Sequence, residues 1–219
     1  MKGKIDIKNM VKLGFVLAVF AAAACVMLAF VYTGTSKQIA RRQQADLDAA
    51  LKDIFPDADG FEPVEDIKSP DTAVAIESAY RADRNGKTAG AALEVSRAGY
   101  SGPIKMMVGI SVDGIITGVK ILEHSETPGL GANASSPSYF VDRTRGITFY
   151  GQFAGKNTGD AFEAKGDVVA ITASTVTSAA VASAVRAAGI AAMTWFAGVE
   201  LDSVSGIGVI GGTSIGGDE

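Results

Sequence analysis

The feature that most constrains this chain is a run of 20 residues without a charge, from Leu13 to Tyr32. A helix of that length rises about 30 Å, which is the thickness of the hydrocarbon core of a bilayer. Because a helix satisfies its own backbone hydrogen bonds, such a segment can cross lipid alone. We therefore predict one transmembrane helix at residues 13–32, set in a lipid bilayer.

The charges around this run predict its orientation. Four lysines precede it, at positions 2, 4, 8 and 12, against Asp6 alone. Such an excess favours a cytoplasmic N-terminus, although three basic residues at positions 37–42 weaken the bias. We expect a single-pass protein of the cytoplasmic (inner) membrane, with residues 1–12 in the cytoplasm and the remainder in a periplasm-like, extracytoplasmic space.

Two other interpretations of the run remain open. The apolar core of a cleaved signal peptide has about 7–15 residues, which is shorter than this run. Ala22–Cys25 also resembles a lipoprotein cleavage box, but the chain stays apolar through Tyr32. Cys25 is the only cysteine, which excludes an internal disulfide or a protein-held iron–sulfur cluster.

The residues after the run predict a folded acidic domain. From Thr33 onward there are 16 Lys and Arg against 23 Asp and Glu. This balance repels phosphates and argues against nucleic-acid binding. Residues 33–72 are expected to form a helical stalk and linker, with an amphipathic helix from Ser36 to Phe55, ended by Pro56, and a loop over residues 56–72.

Alternating apolar patterns predict a sheet in residues 73–205. Asp113-Gly114 favours a two-residue β-hairpin loop between the last two of four strands, and another turn is expected at Asn85-Gly86. The expected strands are Ala73–Tyr80, Ala91–Val95, Ile104–Val112 and Ile115–Leu122.

Further elements follow the sheet. We expect a short helix at Pro137–Arg145 capped by Ser136, a buried strand at Val168–Thr172, and a long Ala- and Val-rich helix at Val176–Phe196. The Gly-rich tail, residues 206–219, is expected to be flexible. The predicted fold class is α+β, a twisted antiparallel sheet with packed helices, preceded by one transmembrane helix.

A cluster of hydroxyls marks the start of the last predicted helix. Backbone N–H groups at a helix start are unpaired and favour a phosphate, and a hydroxyl there can accept a phosphoryl group covalently. Ordinary N-capping by Ser or Thr is the commoner alternative. The hydroxyls are Thr172, Ser174, Thr175, Thr177 and Ser178.

The segment His124–Ala132 follows a predicted strand and is the second candidate site. Thr127-Pro128-Gly129 fits a turn, and Gly129 and Gly131 allow a flat ligand to approach the backbone. His124 is the only histidine, so a His-based metal cluster is excluded. Glu123 and Glu126 are expected on a solvated face, although one of them can hydrogen-bond a ligand. The candidate ligand contacts here are His124, Glu126, Thr127, Gly129, Leu130 and Gly131.

A third segment, Phe149–Lys156, has the sequence FYGQFAGK. Its aromatic side chains are expected in the core, and Lys156 is either a surface lysine or an anion partner.

Together and in this order, these segments resemble the covalent FMN-binding domain found in the G subunit of Rnf-type ion-translocating oxidoreductases. The match includes every stated position of His-x-Glu-Thr-Pro-Gly-Leu-Gly at residues 124–131 and of Gln-Phe-x-Gly-Lys at residues 152–156. The flavinylation motif, Ser/Thr-Gly-Ala-Thr followed by x-Thr/Ser-Ser, corresponds to residues 172–178. Ala173 and Ser174 depart from its Gly and Ala, and an Asp often found three residues before it is Val169 here, with Asp167 further back.

This resemblance implies a phosphoester between Thr175 and FMN, made by a flavin transferase that uses FAD outside the cytoplasm. It implies a non-autonomous electron-transfer subunit that works with the other subunits of an Rnf-type complex, coupling ferredoxin–NAD electron exchange to Na⁺ or H⁺ movement. Three alternatives remain: the related C subunit of the Na⁺-pumping NADH:quinone reductase, a cofactor-free membrane-tethered binding or assembly module, and a hydrolase using Ser or His124.

Overall fold

The computed structural model describes residues 7–205. The predicted flexible tail, residues 206–219, and the lysines at positions 2 and 4 lie outside this range. The chain divides between Leu47 and Asp48 into two compact units.

The first helix, α1, runs from Ile7 to Ile54. Its end confirms the expected stop before Pro56. The apolar stretch of α1 is exposed along its whole length, and it is long and apolar enough to cross a membrane. The last helix, α2, spans Thr175–Ser205 and passes the same test of length and composition. Two-thirds of its most apolar window is buried within the protein, which is typical of a core helix.

A five-stranded antiparallel sheet confirms the predicted fold class. Its strands follow one another in chain order across the sheet. The segment around Phe61, which was expected to be part of a loop, pairs with the second strand and forms the first one. The strands are β1 Gly60–Pro63, β2 Val74–Arg84, β3 Lys87–Ala98, β4 Pro103–Ser111 and β5 Ile116–Glu123.

Two turns set the register of these strands. Asn85 and Gly86 have φ values of 52° and 71°, which is typical of a two-residue turn whose twist matches the strands. The β4–β5 hairpin is confirmed, but its loop is longer than the expected two residues. The amide of Ser111 bonds to the carbonyl of Ile115, and Gly114 has a φ of 75°. A three-residue loop with a left-handed Gly is the common alternative.

The helix expected at residues 137–145 is wrong. This segment contains β6, Phe140–Asp142, which pairs with β7, Ile147–Thr148. The Asp142 carboxylate accepts the amides of Thr144 and Arg145, and such local bonds compete with a helix.

The strand expected at Val168–Thr172 is also wrong, although Val168 and Ile171 are buried as predicted. Val168 makes only an isolated bridge to Ala164. The neighbouring Val169 bonds instead to a side chain, Gln152, which removes the need for a partner strand.

The sheet is covered on both faces. On one face, α2 packs on β3 and β4 with a row of Ala and Val side chains, and Phe149 and Phe153 are fully buried, as predicted. On the other face, the last turns of α1 lie over three glycines, one on each of three neighbouring strands: Gly90, Gly109 and Gly118.

We call these three glycines the glycine stripe, and two of them, Gly90 and Gly109, make room for the end of α1 and the residue after it. A Cβ at Gly109 would overlap Ile54, and a Cβ at Gly90 would lie 2.7 Å from the Phe55 ring. Ile54 and Phe55 are consequently buried against the sheet.

Candidate functional site

The start of α2 presents one exposed hydroxyl and a set of free amides. Thr175 is the first residue of the helix and is exposed. The first backbone bond of the helix runs from the amide of Ser178 to the carbonyl of Ser174. Among the described residues, the amides of Thr175, Val176 and Thr177 have no backbone acceptor. Their partial positive charge favours an anion beside the Thr175 hydroxyl.

Two neighbouring hydroxyls, those of Ser178 and Thr177, make hydrogen bonds that hold the fold together. The Ser178 hydroxyl is fully buried, donates to the carbonyl of Ser174 at 2.9 Å and accepts the amide of Ile171 at 2.9 Å. Thr177 is 1% exposed and donates to Glu126 Oε2 at 2.7 Å. Ser174 is buried at the helix start. Of the five hydroxyl residues of the cluster, Ser174, Thr177 and Ser178 are buried and Thr172 and Thr175 are exposed, and of the two exposed residues only Thr175 lies within the helix.

Glu126 is buried, with 6% of its surface exposed, so the expectation of a solvated position for it is wrong. Its Oε1 accepts the amides of Tyr100 and Ser101 at 2.8 and 3.0 Å, while Oε2 accepts the Thr177 hydroxyl. Burial alone would raise the pKa of Glu126. The hydrogen bonds from Ser101, Thr177 and Tyr100 outweigh it and lower the pKa below its usual value. Glu123, by contrast, is exposed as expected.

His124 shapes the loop. Its Nδ1 accepts the amide of Glu126 at 3.2 Å, which assigns the ring proton to Nε2. Nε2 then donates to the Ser135 hydroxyl at 2.9 Å, and Ser135 donates to the carbonyl of Ala132. Both ring nitrogens are thus engaged in ordering residues 124–135.

The two glycines of this loop have different roles. Gly129 has a φ of 76°, as the predicted turn requires, and the amide of Leu130 closes that turn on the carbonyl of Thr127. A Cβ on Gly131 would overlap Glu126 Oε2 and lie 2.7 Å from Thr177 Oγ1. Gly131 is therefore required by the buried Glu126–Thr177 pair.

The loop and the start of α2 enclose a cavity of about 410 Å³, within the usual range for small-molecule sites. We call it the α2 cavity. Seven of the predicted site residues line it, namely Glu126, Thr127, Leu130, Gly131, Ser174, Thr175 and Thr177. Thr172 borders an adjacent open depression that Thr175 shares. His124, Gly129 and Ser178 line neither.

The cavity is also lined by Tyr100, Ala173 and Val176, none of which the sequence analysis predicted as site residues. Tyr100 lies in the turn between β3 and β4, far from either motif in sequence. The only feature of the sequence that could have pointed to Tyr100 is that it is an aromatic residue in a Gly-rich turn, where no packing partner is evident.

Ala173, which stands where the family motif has Gly, has a φ of 60°. This left-handed conformation suits glycine and strains other residues. Alanine in place of the motif's glycine therefore raises the energy of the backbone at this position.

The third segment supports the approach to α2. Gln152 accepts the amide of Val169 at 2.8 Å and donates to its carbonyl at 3.1 Å. Lys156 pairs with Asp167 at 3.1 Å. Of the two expectations for this lysine, pairing with an anion is therefore the one that the structure shows. Burial would raise the pKa of Asp167, but the Glu163 amide and Lys156 lower it below its usual value.

Comparison with known families agrees with this architecture. Residues 99–189 match the FMN-binding domain, and residues 1–54 match the RnfG N-terminal region. The first of these ranges contains the whole lining of the α2 cavity.

Curated relatives extend the match over most of the chain. The G subunit of the ion-translocating oxidoreductase complex of Methanosarcina acetivorans is 34% identical over 80% of this chain and 90% of its own length. The G subunit of the Na⁺-translocating ferredoxin:NAD⁺ oxidoreductase complex of Acetobacterium woodii is 32% identical over 82% of this chain and 90% of its own.

A third relative, the G subunit of the ion-translocating oxidoreductase complex of Aliivibrio fischeri, is 40% identical over 56% of this chain and 62% of its own length. The resemblance drawn from the motifs is therefore confirmed, and this chain belongs to the family formed by the G subunits of ion-translocating oxidoreductase complexes.

Proposed function

We propose that this chain is an electron-transfer subunit of a membrane complex and carries FMN covalently on Thr175. The complex couples electron exchange between ferredoxin and NAD to ion movement, as the name of the Acetobacterium woodii relative states for that protein. The observation that carries the proposal is the exposed Thr175 hydroxyl at the start of α2, beside free amides and the α2 cavity.

The residues present fit FMN. Free amides and the helix dipole favour its phosphate at Thr175. Tyr100, Leu130 and Val176 are exposed apolar side chains on the cavity, and they fit the edge or face of a flat ring. FMN would supply one-electron transfer, while these residues bind and orient it.

Burial distinguishes Thr175 from Thr177, the other threonine in the first turn of the helix. Thr177 is buried and its hydroxyl donates a hydrogen bond to Glu126. The flavin transferase therefore cannot reach this hydroxyl without opening the site. Thr172 is exposed, but it precedes the helix and is not one of the residues whose backbone amides are free.

The attachment follows a balanced transfer. A flavin transferase brings FAD, and the Thr175 oxygen forms a bond to the phosphorus of the FMN half. The pyrophosphate bond breaks, AMP leaves, and the hydroxyl proton is released. The product is a phosphoester of FMN with no change of oxidation state.

The apolar stretch of α1 supports the proposed location. Its exposed side chains would be covered by a bilayer, and the lysines before it favour a cytoplasmic N-terminus. The FMN domain then lies outside the cytoplasmic membrane, where the flavin transferase acts.

The test uses the full chain co-expressed with the flavin transferase. On a denaturing gel under ultraviolet light, the wild type should fluoresce and Thr175→Ala should be dark. Thr194→Ala is the matched control, since it removes an exposed threonine hydroxyl of the same helix outside the motif and the cavity, and it should fluoresce. Intact mass should show an increase of one FMN less one water in the wild type.

A fluorescent Thr175→Ala band would contradict the assignment of the acceptor. A dark wild-type band with active transferase would contradict covalent flavin altogether and favour the cofactor-free binding module.

A further inference from the structure

Tyr100 is placed by the same carboxylate that holds the start of α2. The Gly99 amide bonds to the carbonyl of Gly102 at 2.7 Å and closes the turn around Tyr100. The amides of Tyr100 and Ser101 both donate to Glu126, whose other oxygen accepts Thr177. One carboxylate thereby joins the backbone at Tyr100 to the first turn of α2, and Tyr100 and Thr175 both line the α2 cavity.

The Tyr100 side chain is 76% exposed, more than any other large apolar side chain among the described residues from 48 to 198. Its hydroxyl has no hydrogen-bond partner among those residues. An aromatic ring held on a rigid turn and left without packing is typical of a binding surface. Leu130 and Val176, also exposed, line the same cavity.

We propose that the Tyr100 ring packs against the isoalloxazine ring of the flavin and holds it over the α2 cavity. This inference rests on the proposed function and adds to it the residue that positions the ring. A tether at the phosphate alone leaves the ring free to turn. An offset-stacked aromatic contact restricts that rotation.

Fluorescence provides the test, because a phenol in contact with excited flavin quenches it by reversible electron transfer. A phenylalanine ring has the same shape but is far harder to oxidise. In the native full chain with flavin attached, Tyr100→Phe should raise the fluorescence several-fold, relative to the same sample after denaturation. Tyr100→Trp keeps an oxidisable ring and should stay quenched.

Tyr80→Phe is the control. Tyr80 lies on β2, outside the cavity lining, and its loss should leave the native-to-denatured ratio unchanged. Denatured samples of all variants should be equally fluorescent, since Tyr100 is not the attachment site.

Each outcome is decisive. An unchanged native-to-denatured ratio in Tyr100→Phe overturns the ring contact, while a fluorescent denatured band still upholds covalent attachment of the flavin. If the wild type carries no covalent flavin, the attachment proposal fails. Titration of free FMN into the flavin-free chain then tests whether the Tyr100 ring contacts the flavin. Quenching of free FMN that is lost in Tyr100→Phe supports the contact; equal quenching or no binding overturns it.

Discussion

The hydroxyl of Thr177 donates a 2.7 Å hydrogen bond to Oε2 of Glu126, across 51 residues of sequence. The other oxygen of that carboxylate accepts two amides of the β3–β4 turn. One buried side chain thus joins three segments that line the cavity.

Glu126→Ala should lower the free energy of unfolding by about 2–3 kcal/mol, because a buried donor left without an acceptor costs about 1–3 kcal/mol. Urea unfolding of the solubilised chain measures it. Glu123→Ala, an exposed carboxylate on the same segment, should change stability by less than about 0.5 kcal/mol. Equal effects of the two variants would contradict the structural role of Glu126.

Stability should depend on the ionisation of Glu126. Its pKa is lower in the folded chain than its ordinary value of 4.5, so the unfolded chain binds the proton more readily. The stabilisation is therefore fully present above pH 4.5 and is lost as the pH falls through the lower, folded-state pKa. Unfolding midpoints measured from neutral pH downward should fall more steeply for the wild type than for Glu126→Gln. Parallel curves would argue against this linkage.

Gly131→Ala should weaken both folding and flavin attachment, because its Cβ would displace the Glu126–Thr177 pair. Overpacking of this kind costs about 1–3 kcal/mol. The unfolding midpoint and the fluorescence of the denatured band, per unit of protein, check both effects. For the control, Gly102→Ala, the nearest contact of the new Cβ is Ser125 Cβ at 3.6 Å, an ordinary distance, so little change is expected.

Ala173→Gly should stabilise the chain by about 0.5–1 kcal/mol, because glycine accepts the φ of 60° at lower cost than alanine. Thermal or urea unfolding detects it. Ala179→Gly, at an exposed position inside α2, should act in the opposite direction by about 1 kcal/mol. A loss of stability in both variants would rule out relief of strain at Ala173.

Periodic patterns predicted the larger elements of the fold. Alternation located β2 to β5, and Pro56 correctly marked the end of α1, because side-chain period and backbone chemistry are local properties. The segment Pro137–Arg145 was misassigned because the Asp142 side chain captures the amides that a helix would need.

The motifs located the two main segments of the site but did not show which of their side chains are buried and which are accessible. The resemblance singled out Thr175 as the acceptor, but that its hydroxyl is exposed while the Thr177 hydroxyl is buried and bonded to Glu126 depends on long-range packing. Tyr100 escaped notice because its place on the cavity depends on a long-range bond to Glu126, which no local pattern encodes.

The glycine stripe has a practical consequence for preparing the domain without its apolar segment. A soluble fragment that begins at residue 73 would leave Gly90, Gly109 and Gly118 facing water in an open apolar trough. Starting at Asp48 retains the side chains that fill the trough, Ile54 and Phe55. The smallest piece expected to stay monomeric in solution therefore starts partway along a helix.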